Sequence, residues 1–403
     1  MNIVKVSLLV IPLLFTKQNE FMGKKGINFL LVSPVMFGFF IMGFVDMAGI
    51  ATSYVKQDFN LNDATSSLVP MLAFLWFLVF AVPTGILMGK IGRKNTALLS
   101  LLITVAGLAL PLIDYNFVIV LLAFALLGIG NTVSQISFNP LLTNVISSEK
   151  LTSALTFGQF TRSVASFLGP VIAGVVASYF NDWKLIFWVY AFVSLLSFAW
   201  LFFTAIPKEA REEKPISWNS TFSLFKEGYI LACFLGILFF VGIDVGLNTY
   251  IPKFLMEKTG LPLDRAGFGT SLYFAARMLG SFVGSFLLLR VAALKFLRWS
   301  LVVLVIAFGL LLFMEGIWVL GCLIFILGLM CANIFSIVLA LALHHRPERA
   351  NEVSALVLMG VAGGAISTPV MGMVADYAGQ TAGLAVLWIC ILYLLIFSYR
   401  LKN

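Results

Sequence analysis

Long apolar runs separated by short polar or basic links recur along the whole chain. Each run is close to or above the ~20 residues a helix needs to cross a ~30 Å hydrocarbon core. They predict twelve helices at about 29–54, 64–89, 95–113, 116–145, 150–179, 184–206, 228–256, 265–290, 295–313, 316–343, 350–377 and 381–399. The pattern also repeats at half length. GFVDMAGIATSYVK at 43–56 resembles VGIDVGLNTYIPK at 241–253, with Asp244 standing for Asp46 and Tyr250 for Tyr54, and two residues fewer between them. A duplicated membrane segment with a carboxylate in both copies predicts an all-α membrane protein of two pseudo-symmetric six-helix halves facing a central path. The halves are expected at 28–206 and 228–403, joined by a cytoplasmic linker at 207–227 and preceded by a cytoplasmic segment at 1–27. Within that segment the apolar run from Val6 to Phe15 is too short to span and lacks a cleavage site. Residues 1–21 therefore read either as a start assigned too early, before Met22, or as a surface-lying segment.

Composition narrows the class. A hydrophobic fraction of 61%, 11% charged residues and 39 Phe, with a mean hydropathy of +1.04, exclude a soluble protein of this size. The net charge of +8 does not point to nucleic acid, because the basic residues fall between the apolar runs and act as topology signals. With the N-terminus inside, 19 of the 26 Lys and Arg lie on the side of the chain ends and five on the opposite side. That asymmetry predicts a multi-pass protein of the inner (plasma) membrane with both termini cytoplasmic. Cys233, Cys322, Cys331 and Cys390 all sit in apolar runs without metal-ligand spacing, so no disulfide, metal or cofactor is expected. The only histidines, His344 and His345, are adjacent in a basic link that reads as a solvated loop. No nucleophile, base and orienting group, and no phosphate loop, can be assembled, so the chain is not expected to be an enzyme. The loops are too short to hold a signalling or docking domain, and a monomer in the bilayer is expected.

Four ionisable residues fall well inside predicted spans: Asp46, Arg162, Asp244 and Arg277, one acid and one Arg per half. Translocon scales put such a group at roughly +2.5 to +3.5 kcal/mol at the middle of a membrane helix, so it needs a partner, a wet cavity or a use. Two structural salt bridges would satisfy them; a role in ion coupling is the reading preferred for Asp46. Asn131, Gln135 and Asn139 recur at i, i+4 and i+8 and form a polar line near Pro140. Neutral amides suit a neutral, hydroxyl-rich ligand. They also serve as interhelical glue at ~0.6 kcal/mol per bond. Gln159, Asn248 and Asn333 are candidates of the same kind, and Trp76 and Phe77 offer faces on which a sugar ring stacks. Arg277 and Asp244 are further candidates for substrate hydroxyls.

Several stretches resemble a known family. GILMGKIGRK (85–94), between the second and third helices, resembles the cytoplasmic loop signature of the major facilitator superfamily, with Gly89 where that signature has Asp; GSFVG (280–284) followed by Arg290 is its weaker echo. The region 333–379, and its core GGAISTPVMG (363–372) above all, resembles helices 10 and 11 of the fucose:proton symporter family. QISFNP (135–140) and LTFGQ (155–159) continue the likeness. The resemblance implies the superfamily fold, in which helices 1 and 5 are neighbours and Asp46 can pair with Arg162. It also implies sugar import driven by protons, with an acid on helix 1 and another on helix 4. Here Gly49 aligns with the helix 1 acid, Asp46 sits one turn earlier, and Gln135 takes the helix 4 place. The expectation is a secondary active importer of a small neutral sugar, a hexose or deoxyhexose, working by alternating access with a cation, a proton, as coupling partner at Asp46 and Arg162. A proton-driven exporter of small molecules or drugs is the alternative. ASFLGPVIAG (165–174) partly resembles the exporters' antiporter signature at Gly169, Pro170 and Gly174, but has Ala165 and Ala173 where glycines are usual.

Overall fold

The structure is a computed structural model that describes residues 29–145, 148–207, 218–288, 290–346 and 349–400. The readings made for residues 1–27 lie outside the described residues. The long helices are α1 (Phe29–Asp58), α2 (Asp63–Ile91), α3 (Arg93–Ile113), α4 (Phe117–Leu141), α5 (Ser148–Phe180), α6 (Leu185–Phe203), α7 (Gly228–Thr259), α8 (Phe268–Leu287), α9 (Ala293–Phe313), α10 (Ile317–His345), α11 (Glu352–Ala378) and α12 (Gln380–Arg400). Among the described residues eleven are long and apolar enough to cross a membrane. The twelfth, α8, has the length, ~30 Å for 20 residues, but is less apolar because it carries Arg277 among Gly, Ser and Thr residues. Helices satisfy most of their backbone groups internally, as hydrocarbon requires, and the few interruptions lie where side chains or neighbouring helices can meet the freed groups.

The links from α1 to α2, α3 to α4 and α7 to α8 are short and built from local caps. Asn62 and Asn116 accept from the main-chain N–H of Thr65 and Ile119 at 2.8 and 3.0 Å, opening α2 and α4. Gly260 closes α7 in the left-handed region at φ 68°, where a side chain would be strained.

Three helices expected to be continuous are interrupted. α1 tightens to a 3-10 turn at Gly43–Asp46, and α11 does so at Gly360–Ala362. α10 likewise pauses at Ala332 and Asn333 before Ile334–His345. A 3-10 turn inside a long helix frees carbonyls and redirects side chains, a common device at functional positions.

By the alternation of the twelve helices, Phe29 at the start of α1 and Arg400 at the end of α12 fall on one face, here the near face; the α1–α2, α7–α8 and α11–α12 turns lie on the far face. Within the first half α4 packs on α2 and α3, and α3 on α6; within the second α8 packs on α10, and α7 on α11 and α12. The halves meet where α5 packs on α8 and α2 on α11. The far part of α1, Met47–Asp58, also packs on α7, whereas its near part packs on α4, α5 and α6 of its own half. Small residues permit the closest approaches. A Cβ on Gly364 would meet Val245 at 2.7 Å and one on Gly372 the Asp63 carbonyl at 2.6 Å, while Gly363 is pressed against the backbone of Leu238. Large apolar side chains such as Phe192, Trp188, Trp318 and Ile389 point outward, away from both halves, as lipid contact requires.

Candidate functional site

The break in α1 places its carboxylate. Gly43 lets the turn press onto α5, since a Cβ there would meet Ala165 at 2.7 Å. At the end of the turn Asp46 is buried, and Ser166 of α5 donates a 2.6 Å hydrogen bond to its Oδ2. Arg162, one turn before Ser166, stands 3.8 Å from Oδ1, beyond hydrogen-bond length, so the expected partner is a neighbour and not a clamp. From the opposite half Asn248 of α7 donates at 2.7 Å to the main-chain carbonyl of Asp46. Its amide lies against Gly49, where a Cβ would come within 2.6 Å of Nδ2. The position that would carry the helix 1 acid in the resembled family is here a notch holding an amide from the other half.

The second acid is bound differently. Arg277 Nη1 donates to both oxygens of Asp244, at 2.8 and 2.7 Å, and Tyr273 Oη donates to Oδ1 at 2.6 Å. The guanidinium also lies over the rings of Phe274 and Tyr273, 5.8 and 5.9 Å from their centroids. The Asp244 and Arg277 pair read from the sequence is thus present and reinforced. Asn248, bonded to the Asp46 main chain, lies one turn after Asp244 on α7, so the pairs from the two halves share one central region. Sequence reasoning missed Ser166 and Tyr273, although each sits four residues from its cluster's Arg and so on the same helix face.

The amides divide into two groups. Both amide atoms of Asn131, Nε2 of Gln135 and Oδ1 of Asn248 are buried without a protein partner. Asn139 donates instead to the Gln135 carbonyl at 2.9 Å, and Asn333 to the Gly280 carbonyl at 2.8 Å. Phe138 packs on Phe39, ring centroids 6.2 Å apart, and fills the space beside Gly38. Gln135 and Asn131 lie three and seven residues before Phe138 on that same α1-facing side. At ~1.5 Å per residue, seven residues carry Asn131 to about the depth of Asp46, which lies seven after Phe39. Gln159 is half-buried on α5, and Trp76 on α2 is half-buried with Nε1 buried and unpartnered, its ring 5.9 Å from Phe80.

A larger polar cluster joins the halves at the far face. Asp63, at the start of α2, accepts from Lys253 at 2.7 Å, from Lys56 at 2.6 Å and from Gln380 Nε2 at 2.6 Å. Asp376 of α11 accepts from the main-chain N–H of Asp63 and Ala64 at 2.6 and 2.8 Å. Glu257 of α7 accepts from the main-chain N–H of Gln380 and Thr381 at 2.6 and 3.1 Å, and Ser67 and Tyr250 hydroxyls meet at 3.3 Å. In the sequence Lys56 and Lys253 count only among the five basic residues on the side opposite the termini, Lys56 just past the first predicted span and Lys253 near the end of the seventh; the structure seats them inside α1 and α7.

At the near face Arg93 donates to Asn144 Oδ1 at 2.7 Å and to the Pro140 carbonyl at 3.3 Å, tying the α2–α3 turn to the end of α4. Gly89 faces open space. His345, expected in a solvated loop, ends α10 with its exposed ring stacked 4.2 Å from Tyr229. The neighbouring Arg346 guanidinium donates to Glu227 and holds that carboxyl below the usual range.

The comparisons with known proteins agree with this architecture. The chain is 25% identical over 394 residues to the glucose/galactose transporter of Brucella abortus biovar 1 (strain 9-941), covering 93% of this chain and 94% of that one. Its fold matches the E. coli fucose:proton symporter, FucP, with a TM-score of 0.70 at 18% identity, over 92% of this chain and 98% of that structure. A second FucP structure, in the outward conformation, matches with a TM-score of 0.69 at 18% identity, over 94% and 99%. The model of the Major Facilitator Superfamily matches residues 35–366. Twelve helices in two related halves, a charged centre built from both, and a match over most of its length place this chain in the major facilitator superfamily of transporters.

Proposed function

We propose that the protein is a secondary active importer of a small neutral sugar, a hexose or deoxyhexose, coupled to protons through Asp46. The observation that carries this reading is the set of bare, buried amides at Asn131, Gln135 and Asn248, with Asn248 bonded to the Asp46 main chain and Asn131 at about the same depth. A buried amide left unpaired costs about 1–3 kcal/mol, and sugar hydroxyls, which both donate and accept, satisfy it without a charge to desolvate. The full-length likeness to a glucose/galactose transporter and the fold of a fucose:proton symporter support sugar over drug, and import over export. The Lys and Arg excess sets the near face toward the cytoplasm, with both termini inside an inner-membrane monomer. The six-helix halves at 28–206 and 228–403 rock about the central site.

The coupling role falls to Asp46 because its bonding is loose. Asp244 is saturated by Arg277 and Tyr273, whereas Asp46 has one hydroxyl donor and a distant guanidinium. A carboxylate close to Arg favours its ionised form, and one left in an apolar cavity favours the protonated form. Movement of α5 against α1 therefore changes whether Asp46 holds a proton. With Gln135 in place of a second acid, one proton accompanies each sugar. In Asp46→Asn, uphill accumulation driven by an imposed proton gradient is expected to vanish while exchange of internal for external sugar survives, because the amide mimics the protonated acid. Accumulation that persists in this variant would remove Asp46 from the coupling role.

A further inference from the structure

The far-face cluster has a composition that packing alone does not require. Lys56 and Lys253 end the two copies of the repeated segment, so they are related by the pseudo-symmetry of the halves, yet both grip the one carboxylate of Asp63. Asp63 and Lys253 are almost fully enclosed, with side-chain exposures of 3% and 5%, while Lys56 stays partly open at 31%. Asp376 answers the surplus positive charge and caps the first turn of α2 from the opposite half. Among the described residues, the side-chain bond at the symmetry-related junction, between α5 and the turn before α8, is the 3.0 Å one from Ser178 to Asp264. Among the described residues, one side of the far face is therefore held by a charge cluster and the other by a hydroxyl-to-carboxylate bond.

We propose that Asp63 is the keystone of an outer gate, a residue outside the sugar site that sets how readily the transporter opens to the exterior. The proposal needs the orientation given above but not the coupling role of Asp46. Its physical basis is the cost of burying ions. Closing the far face strips water from Lys253 and Asp63, and their attraction roughly offsets that loss, so the closed state is held without becoming a trap. Opening returns both ions to water. The gate is thus reversible only while the buried lysine has its carboxylate.

The direction of each variant follows. Asp63→Asn leaves Lys253 buried and without a carboxylate in the closed state and hydrated in the open one, so the population shifts outward. Lys253→Met keeps Asp63 held by Lys56 and shifts it less. The double variant Asp63→Asn/Lys253→Met removes the buried charges together and returns closure toward that of the parent. Ser53 is the reporter position: it is buried at 4% exposure, one turn beyond Gly49 and so on the face of α1 that meets α7. In full-length protein carrying Ser53→Cys, labelling from outside by a membrane-impermeant maleimide is expected to accelerate on the order of tenfold with Asp63→Asn, equivalent to ~1.4 kcal/mol of closure. The buried native Cys233, tested with a permeant maleimide, serves as the control for unfolding and is expected to stay protected. Labelling of the Asp63→Asn protein at the parent rate, labelling of the double variant as fast as the single, or Cys233 reacting in step with Ser53→Cys would each overturn the gate.

Discussion

Gln135 presents an amide nitrogen to the buried centre with nothing to receive its hydrogens, and the consequence can be measured directly. Gln135→Leu is expected to lower sugar affinity by 10-fold or more, about 1.4 kcal/mol or above, with insertion and fold intact, because a site built to hydrogen-bond a hydroxyl loses more than packing when the bond goes. Binding to purified protein at parental affinity would take Gln135 out of the site. Arg277 is the opposite case, since its partner is fixed. Arg277→Met leaves Asp244 enclosed with only Tyr273 as donor and is expected to destabilise by about 3–5 kcal/mol, while Arg277→Met/Asp244→Asn recovers part of that loss. Melting temperatures of the four proteins in the cycle decide it, strictly additive losses counting against the pair. At this scale the sequence displayed the charges but not their bonding. Asp46, Arg162, Asp244 and Arg277 stand out because charge is rare in apolar runs. Ser166 and Tyr273 do not, since hydroxyls are common there and only the third dimension shows which one faces a carboxylate.

The elements were legible to within a few residues because hydrocarbon-length apolar runs leave little choice of structure. Their interruptions were not. The turns at Gly43–Asp46 and Gly360–Ala362 lie inside runs as apolar as their flanks, and a tightening from α to 3-10 changes no hydrophobic period a reader can count. Gly49 shows how an element's surface depends on its neighbour, because its missing side chain is what seats Asn248 beside Asp46. Gly49→Val drives a branched side chain into that amide and is expected to cost roughly 1–3 kcal/mol by overpacking. It should also raise the KM for sugar, since Asn248 is displaced. Thermal unfolding together with initial uptake rates measures both effects, and unchanged values of both would show that the notch is not needed.

At the scale of the whole molecule, the duplication read from two short stretches predicts related halves correctly but overstates their equality. α1 is broken where its counterpart α7 runs on as one helix, and one carboxylate is loosely held where the other is locked. The lysines of the far face illustrate the same limit: a charge count assigns them to a side of the membrane, whereas their shared grip on Asp63 depends on how two halves meet. α8 carries a different consequence, one that concerns how the protein is made. An Arg at the middle of a helix adds roughly +2.5 to +3.5 kcal/mol to insertion on translocon scales, and among the described helices of spanning length α8 is the one that falls short in apolarity. Its counter-ion, Asp244, arrives on the helix synthesised just before it. If α7 and α8 enter the bilayer as a hairpin, both charges arrive as a neutral pair, and the contact that locks Asp244 in the finished transporter also lowers the cost of inserting α8.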